Sequence, residues 1–426
     1  MEKNLYDKIC EINGKVKARF CMPSHSGVGT GDKLYASASF DWTEVEGLDN
    51  LLCCDDAILK TQQRIAKSLG YKYALALTQG STCGMHIAVN VVKERSRVVV
   101  AIGDMHKSFY AACRLYGAQV INIEKLESYD FKDEKIGGIF VASPDYFGNC
   151  KDLSQLRKIA DKLRAYLVVD EAHGAHFAYA STLPDNANKY ADIAITSMHK
   201  TLPVYGGGAL VCVNTLELKL KCEGYRALIH STSPNYLTMA SMDYADLYMR
   251  ENGEKEYAKV KTKIEEFAKK LTVGKVVKND DFTRLIVKIE GKNAYKANLD
   301  LIERGIYAEM AKDDLLVFIV TPFNCDKLDL LARELGELSF EDGESIDGSF
   351  CGEARKTIPA DLQGEIDYVN IDEALGRVCA EDVGVYPPGV PFIMRGEVID
   401  ENRLQMIKKY RNQLFGLASG LIAVIK

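Results

Sequence analysis

Residues 165–200 read AYLVVDEAHGAHFAYASTLPDNANKYADIAITSMHK, and two apolar runs in this stretch each lead to a charged group. The run AYLVV ends on Asp170, and ADIAIT leads into Ser197-Met198-His199-Lys200. Short runs rich in Val, Ile and Leu are the signature of strands buried on both faces. Asp170 alone is read as a helix cap or a metal ligand, and Lys200 alone as a surface lysine in a turn. A lysine at a buried strand end is costly unless it is paired or chemically used. Two such strand ends, thirty residues apart, favour a shared site over two accidents. The letters DEAH also spell a helicase box, but that reading needs a GxxxxGK[ST] phosphate loop, which this chain lacks.

Outward from this stretch the same alternation continues. The pattern predicts a helix over 57–69, a strand at 73–77, and a helix from Gly80 to about Lys93. A strand at 97–102 follows, then a helix from His106 to Tyr116, strands at 119–123 and 137–143, and a helix at 153–165. Strand runs at 165–173, 191–200 and 206–214 complete the series. Strands alternating with helices indicate βαβ units and a mostly parallel sheet. In such sheets ligands bind beyond the carboxyl ends of the strands. After Asn235 the pattern changes. Residues 236–271 read as a long, charged connecting helix pair, and RLIVKIE and LLVFIV as two strands flanking a helix over 293–304. The polar, Gly-rich segment 340–365 reads as a mobile loop, and 367–426 as a last compact piece.

Three further clusters fall at strand ends. Gly80-Ser81-Thr82 opens a helix; the glycine permits a tight turn, and hydroxyls at a helix N-terminus suit a phosphate. A plain Ser/Thr cap has the same letters. His106-Lys107-Ser108 follows VVVAI, and its imidazole could stack on a planar ring. A lone histidine is more often structural. However, five of the seven histidines (His25, His106, His173, His176, His199) lie in these clusters or the N-terminal loop, which favours a site. Ser231-Thr232-Ser233-Pro234 by itself is only a turn.

The bulk numbers bound the possibilities. At 426 residues the chain is long enough for two or three domains. A net charge of −6 argues against nucleic acid as a partner. The N-terminus has no apolar core of a secretory signal, and no run is long enough to span a membrane. The twelve cysteines form neither CxxC pairs nor zinc spacings, so no metal is expected, and the reading is a reduced, cytoplasmic protein.

A lysine that can act as a neutral amine and a carboxylate that keeps a pyridine nitrogen protonated are what a pyridoxal 5′-phosphate (PLP) site requires. Taken in order, the clusters resemble the bacterial-type ornithine/lysine/arginine decarboxylases, a PLP-dependent family. The resemblance runs from Pro23-Ser24-His25-Ser26-Gly27 through Gly80-Ser81-Thr82, His106-Lys107-Ser108 and Ser143-Pro144-Asp145-Tyr146-Phe147-Gly148. It continues through Asp170–His176, Ser197–Leu202 and Ser231–Tyr236 to Tyr386-Pro387-Pro388-Gly389-Val390-Pro391 ahead of Gly396-Glu397. Three departures are visible. Pro203–Gly208 replaces a stretch that in the family ends in Thr-Gln, Pro-Ser-His replaces Pro-Gly-His, and the chain is a short form without the N-terminal wing domain.

The resemblance implies PLP fold type I, an α/β architecture with a mostly parallel, mixed seven-stranded sheet in the large domain and a smaller C-terminal α+β domain. The divisions are a 1–50 arm, a 51–240 PLP-binding domain, a 241–340 small α+β domain and a 341–426 C-terminal decarboxylase-type domain. It implies that Lys200 attaches the cofactor as a Schiff base, that Asp170 pairs with the pyridine nitrogen, and that His106 stacks on the ring with His173 nearby. Gly80, Ser81, Thr82, Ser197 and His199 surround the phosphate, which Ser231 or Thr232 reaches from a neighbouring subunit of a homodimer. Lys200 or His199 returns a proton, and His25 and Glu397 are read as substrate-side residues. The expected reaction is decarboxylation of arginine, lysine or ornithine to the amine. Transamination or aldol-type cleavage on the same fold is the alternative, which the glycine run 206–208 favours, and a non-catalytic binding role is the third reading.

Overall fold

The structure is a computed structural model that describes residues 4–30, 32–124, 131, 135–342, 355–356 and 364–426. Helix α1 (Leu5–Lys15) is capped by Asn4, whose side chain accepts from the Asp7 amide. Helix α2 (Ala57–Leu69) is started from a distance. The buried Asp49 carboxylate accepts from the amides of Asp55, Asp56, Ile58 and Leu59, satisfying the orphan donors of its first turn.

The central sheet then builds up in chain order. Its members are β1 (Tyr73–Leu77), β2 (Val98–Ile102), β3 (Gln119–Ile123), β4 (Ile136–Ala142), β5 (Tyr166–Asp170), β6 (Ile193–Thr196) and β7 (Ala209–Val213). They lie in the order β1-β7-β6-β5-β4-β2-β3. Only β7 runs against its neighbours, so six of the seven strands are parallel to one another. The expected mixed seven-stranded sheet is therefore present. A two-residue strand, β12 (Arg355–Lys356), adds antiparallel to the free edge of β3.

Period-two alternation assigns the strand residues to two layers. On one face Leu75, Leu77, Val99, Ala101, Phe140 and Val168 pack with residues of α3 (Gly80–Lys93), α4 (Lys107–Tyr116) and α7 (Leu216–Ile229). On the other face Ala76, Val100, Ile139, Val141, Leu167 and Val169 pack with α2, α5 (Leu153–Leu163) and α8 (Tyr236–Lys270). Helix α3 sits hard against the sheet at Gly84, where a Cβ would come within 2.9 Å of the Ile195 side chain.

Residues 236–271, expected as a helix pair, form one helix of 35 residues, about 52 Å long. Nothing interrupts it: it contains no proline, and Gly253 does not serve as a turn. A Cβ at Gly253 would lie 2.4 Å from the Tyr179 carbonyl oxygen, so that glycine serves close approach. The helix is anchored by Asp243 and Asp246, both buried, which pair with Arg64 of α2.

Helix α8 carries the chain into a second sheet, β8 (Lys275–Val277), β9 (Arg284–Lys288), β10 (Met310–Lys312) and β11 (Leu315–Ile319), in the antiparallel order β10-β11-β9-β8. Helices α9 (Ala294–Glu303) and α10 (Leu328–Gly336) accompany it. Its apolar residues Leu285, Val287, Leu316 and Phe318 belong to the same continuous core as one face of the large sheet. Most of the loop expected at 340–365 lies outside the described residues, and within it Arg355–Lys356 form β12. Residues 364–426 carry two three-stranded sheets and α11 (Glu401–Lys409) around a separate core that includes Val369, Val383, Ile393, Ile407 and Ile422.

Candidate active site

The carboxyl ends of β2, β4, β5 and β6 open on one cleft of about 240 Å³, lined by Ser81, Asp104, His106, Tyr146, Asp170, His173 and Lys200 among others. Strand β5 delivers Asp170, whose carboxylate accepts from the Ala172 amide at 3.1 Å. Strand β6 delivers the single-turn helix α6 (Met198–Thr201), which carries Lys200. Burial holds the Lys200 ammonium below the usual lysine range; Asp170 and Glu309 oppose this, and Arg284 adds to it. Burial also raises the Asp170 carboxyl, and Lys200 pulls it back.

His106 caps α4. Its Nδ1 accepts from the Ser108 amide at 3.2 Å, leaving Nε2 as the protonated nitrogen. Burial, followed by the charges of Lys200 and Lys107, pushes its pKa down to about 4, so the ring is neutral at physiological pH. The ring is held in place from the C-terminal piece. A Cβ at Gly389 (φ +80°) would come within 2.8 Å of the imidazole, and the Gly389 carbonyl accepts from the Lys107 amide at 2.7 Å. Pro388 and Val390 of the same turn line the cleft.

Two features fit a phosphate. Ser197, which precedes the helix that carries Lys200 and does not itself line the cleft, has a wholly enclosed hydroxyl with no hydrogen-bond partner among the described residues. A buried hydroxyl left this way is costly unless something else binds it. Helix α3 has no side-chain cap at Gln79, and its Ser81 faces the cleft, so the positive end of the helix is available to an anion. The residues present therefore fit PLP.

The glycine run that departs from the family pattern has a structural explanation. Gly207 (φ +90°) packs on the turn before α3: its carbonyl accepts from the Gly80 amide at 2.8 Å, and a Cβ there would lie 2.6 Å from the Thr78 carbonyl oxygen. The run braces the Gly80 turn (φ +75°) against α6.

Not every expected residue reaches the cleft within one chain. The His199 Nδ1–H donates to the Gly208 carbonyl at 2.9 Å, and the residue does not line the cleft. Thr82 is exposed, and so is Thr232; the Ser231 amide donates to the Gln79 side chain at 3.1 Å. His25 is held by Asp41 at 3.2 Å. Glu397 accepts from the Met394 amide at 2.9 Å and pairs with Arg403 at 3.2 Å, bracing the C-terminal piece.

Other residues enter that sequence reading gave no role. The Tyr146 ring stands 4.9 Å from that of His173, centroid to centroid, and its hydroxyl donates to Glu309. Asp104, Glu124, Asp145, Lys151 and Lys312 also line the cleft. The buried Arg284 bonds His173. Tyr146 lies in one of the family-like motifs, which was a usable signal. Arg284 opens an ordinary strand, and nothing in its neighbourhood in the sequence points to a site.

Comparisons with known proteins identify the family. Residues 128–298 match the family model described as Orn/Lys/Arg decarboxylase, major domain, and residues 352–418 match its C-terminal domain, together more than half of the chain. The chain is 26% identical to an arginine decarboxylase of Bacillus subtilis (strain 168), over 96% of this chain and 93% of that protein. It is 25% identical to an arginine decarboxylase of Halalkalibacterium halodurans, over 92% and 90%. Among solved structures, lysine decarboxylase A from Pseudomonas aeruginosa shares the fold with a TM-score of 0.81 at 14% identity, over 99% of this chain and 80% of that one. With a lysine, a carboxylate, a neutral histidine and an anion-ready helix end converging on one cleft, the chain belongs to the Orn/Lys/Arg decarboxylase family and is a PLP-dependent amino-acid decarboxylase.

Proposed function

We propose that the chain decarboxylates a basic amino acid (arginine, lysine or ornithine) to the corresponding amine, with Lys200 as the residue that attaches the cofactor. The observation that carries this is the convergence of Lys200, Asp170, His106 and Ser81 on one cleft. Bound PLP supplies an electron sink for the pair left behind when a carboxylate departs. Asp170 holds the proton on the cofactor's ring nitrogen. His106, neutral and fixed by Gly389, offers a flat face to the ring. The Ser197 hydroxyl and the first turn of α3 around Gly80 and Ser81 hold the phosphate. Lys200 faces the cleft and returns the proton, because the His199 ring is turned to the Gly208 carbonyl. Asp104 and Glu124 suit a distal cation on the substrate, with Lys151 and Lys312 on the same walls limiting its position.

The proposal includes a cytoplasmic homodimer with shared sites. Phe20, Met22, Val28 and Leu34 of the arm expose apolar side chains in the single chain, which a second copy would cover. Ser231 lies beside Gln79 and Thr232 is exposed, which leaves them available to a neighbouring subunit.

The test is to offer arginine, lysine, ornithine, a neutral and an acidic amino acid separately to the PLP-loaded protein, and to measure carbon dioxide and amine. Release from one basic substrate is expected. Release only from the acidic amino acid would overturn the basic-substrate reading and shift attention to Lys151 and Lys312.

A further inference from the structure

A chain of two hydrogen bonds leads from a buried arginine to the attachment lysine. The Arg284 Nη2 lies 2.6 Å from His173 Nδ1, and His173 Nε2 lies 3.2 Å from Lys200 Nζ. Arg284 is 1% exposed and His173 9%, so the contact between them is shielded from water, whereas Lys200 faces the cleft.

Donor and acceptor chemistry then fixes every proton along the chain. A guanidinium has five N–H donors and no acceptor. Arg284 therefore donates, and His173 Nδ1 must carry a lone pair. A histidine whose Nδ1 accepts is neutral and keeps its proton on Nε2. That N–H points at Lys200. An ammonium has no lone pair to accept it, whereas a neutral amine does.

We infer that Arg284 is a positioning residue: it locks His173 in the Nε2–H tautomer, and His173 in turn holds Lys200 as the neutral amine that captures the cofactor's aldehyde. This rests on the reading of Lys200 as the attachment lysine. Capture forms a carbon–nitrogen double bond and releases water, and it requires that the lysine has already given its proton to solvent. Lys200 is faced by His173, Asp170, Glu309 and Arg284, with His106 also at the cleft; His173 is faced in addition by His176 and Tyr146. Of these, Asp170 and Glu309 favour the ammonium, so a device that favours the amine has something to oppose. The direction agrees: burial above all, with Arg284 among the charges that add to it, holds His173 well below the usual histidine value, as a neutral ring requires. Two more nitrogens of Arg284, Nε and Nη1, have no hydrogen-bond partner among the described residues. Its cation also acts on the buried Asp281 carboxylate, and its field reaches Lys200.

The experiment uses the full chain, stripped of PLP and reloaded across a range of pH, following growth of the visible absorption band of lysine-bound cofactor. In Arg284→Met the pH of half-maximal attachment rate should move up by about one unit, the effect of removing one nearby like charge. Arg284→Lys, which keeps a cationic donor, should restore most of the shift. A profile in Arg284→Met that superimposes on that of the unaltered protein would overturn the inference. Should Arg284→Met not fold, ¹⁵N spectra of the imidazoles in the unaltered, PLP-free protein decide it. His173 protonated on Nε2 alone at neutral pH is expected; an Nδ1–H or doubly protonated ring overturns it. Lys200→Ala separates the two readings. A visible band that survives in Lys200→Ala defeats the attachment role itself, whereas a band lost there, with Arg284→Met unchanged, defeats only the role of Arg284.

Discussion

Lys200 and Asp170 face one cleft, and the role proposed for each gives a direct prediction. Lys200→Ala should lose the visible band and all turnover while circular dichroism stays unchanged; normal turnover would remove Lys200 from the reaction. Asp170→Asn should lower kcat on the order of 10²-fold or more, since it removes the carboxylate proposed to keep the cofactor's ring nitrogen protonated. A near-normal rate would remove Asp170 from its role. Its neighbour Glu171 belongs to the fold. Burial raises the Glu171 carboxyl to about 8, with the Ala187 amide and Thr196 hydroxyl pulling it back and Asp170 adding to the rise. A folded pKa above the unfolded one means stability that is complete below about 4.5 and is lost as pH rises toward about 8. Glu171→Gln, which keeps the shape and cannot ionise, should therefore have nearly the same Tm as the parent at pH about 4.5 and a clearly higher one near pH about 9. Equal Tm values at both ends would show that Glu171 is not protonated in the fold.

At the scale of elements, the site depends on how three strand-to-helix turns are braced. The β1–α3 turn leans on Gly207, α4 begins at His106 under Gly389, and α6 is short because its four residues only bring Lys200 round to the cleft. Gly207→Ala combines a left-handed backbone with a Cβ 2.6 Å from the Thr78 carbonyl. It should cost about 1–3 kcal/mol in denaturant unfolding and weaken PLP retention on dialysis. Unchanged retention would mean that the Gly80 turn does not need this brace. Much at this scale was legible in the sequence. Helix 57–69 and the strands at 73–77 and 119–123 have the boundaries their patterns predicted, because Gly70 and Gly117 stop helices and strand runs alternate cleanly. The helix pair expected after Asn235 was not, because charge density and one glycine do not reveal that Gly253 lies against a neighbouring backbone.

At the scale of the molecule, the cleft draws on all three parts of the chain: strand ends of the large sheet, Lys312 of β10, and Pro388 and Val390 of the C-terminal piece. A single chain leaves Phe20 and Leu34 exposed and Thr232 at the surface. The protein should therefore sediment at about twice its chain mass of 47.3 kDa, and Thr232→Trp should shift it toward the monomer with loss of bound PLP. A fully active monomer would show that each site is complete within one chain.

The sequence by itself determined the alternating architecture and the order of the strand-end clusters, among them Lys200, Asp170 and His106, which line one cleft. These are local properties: apolar periodicity sets the strands, and the residue that follows a strand in an α/β sheet is placed at the ligand-binding edge whatever packs around it. Tertiary structure alone decided which of those residues face one another and which are braces. His199 and Glu397 carry chemically able groups, yet Gly208 in one case and Met394 with Arg403 in the other occupy them. Arg284 shows the converse. It lies 111 residues from His173 along the chain, and a 2.6 Å hydrogen bond between them exists only because the loop ahead of β9 meets the loops after β4 and β5, where Asp281 contacts Gly148 and His176. No periodicity encodes such a contact; folding creates it by burying both groups together.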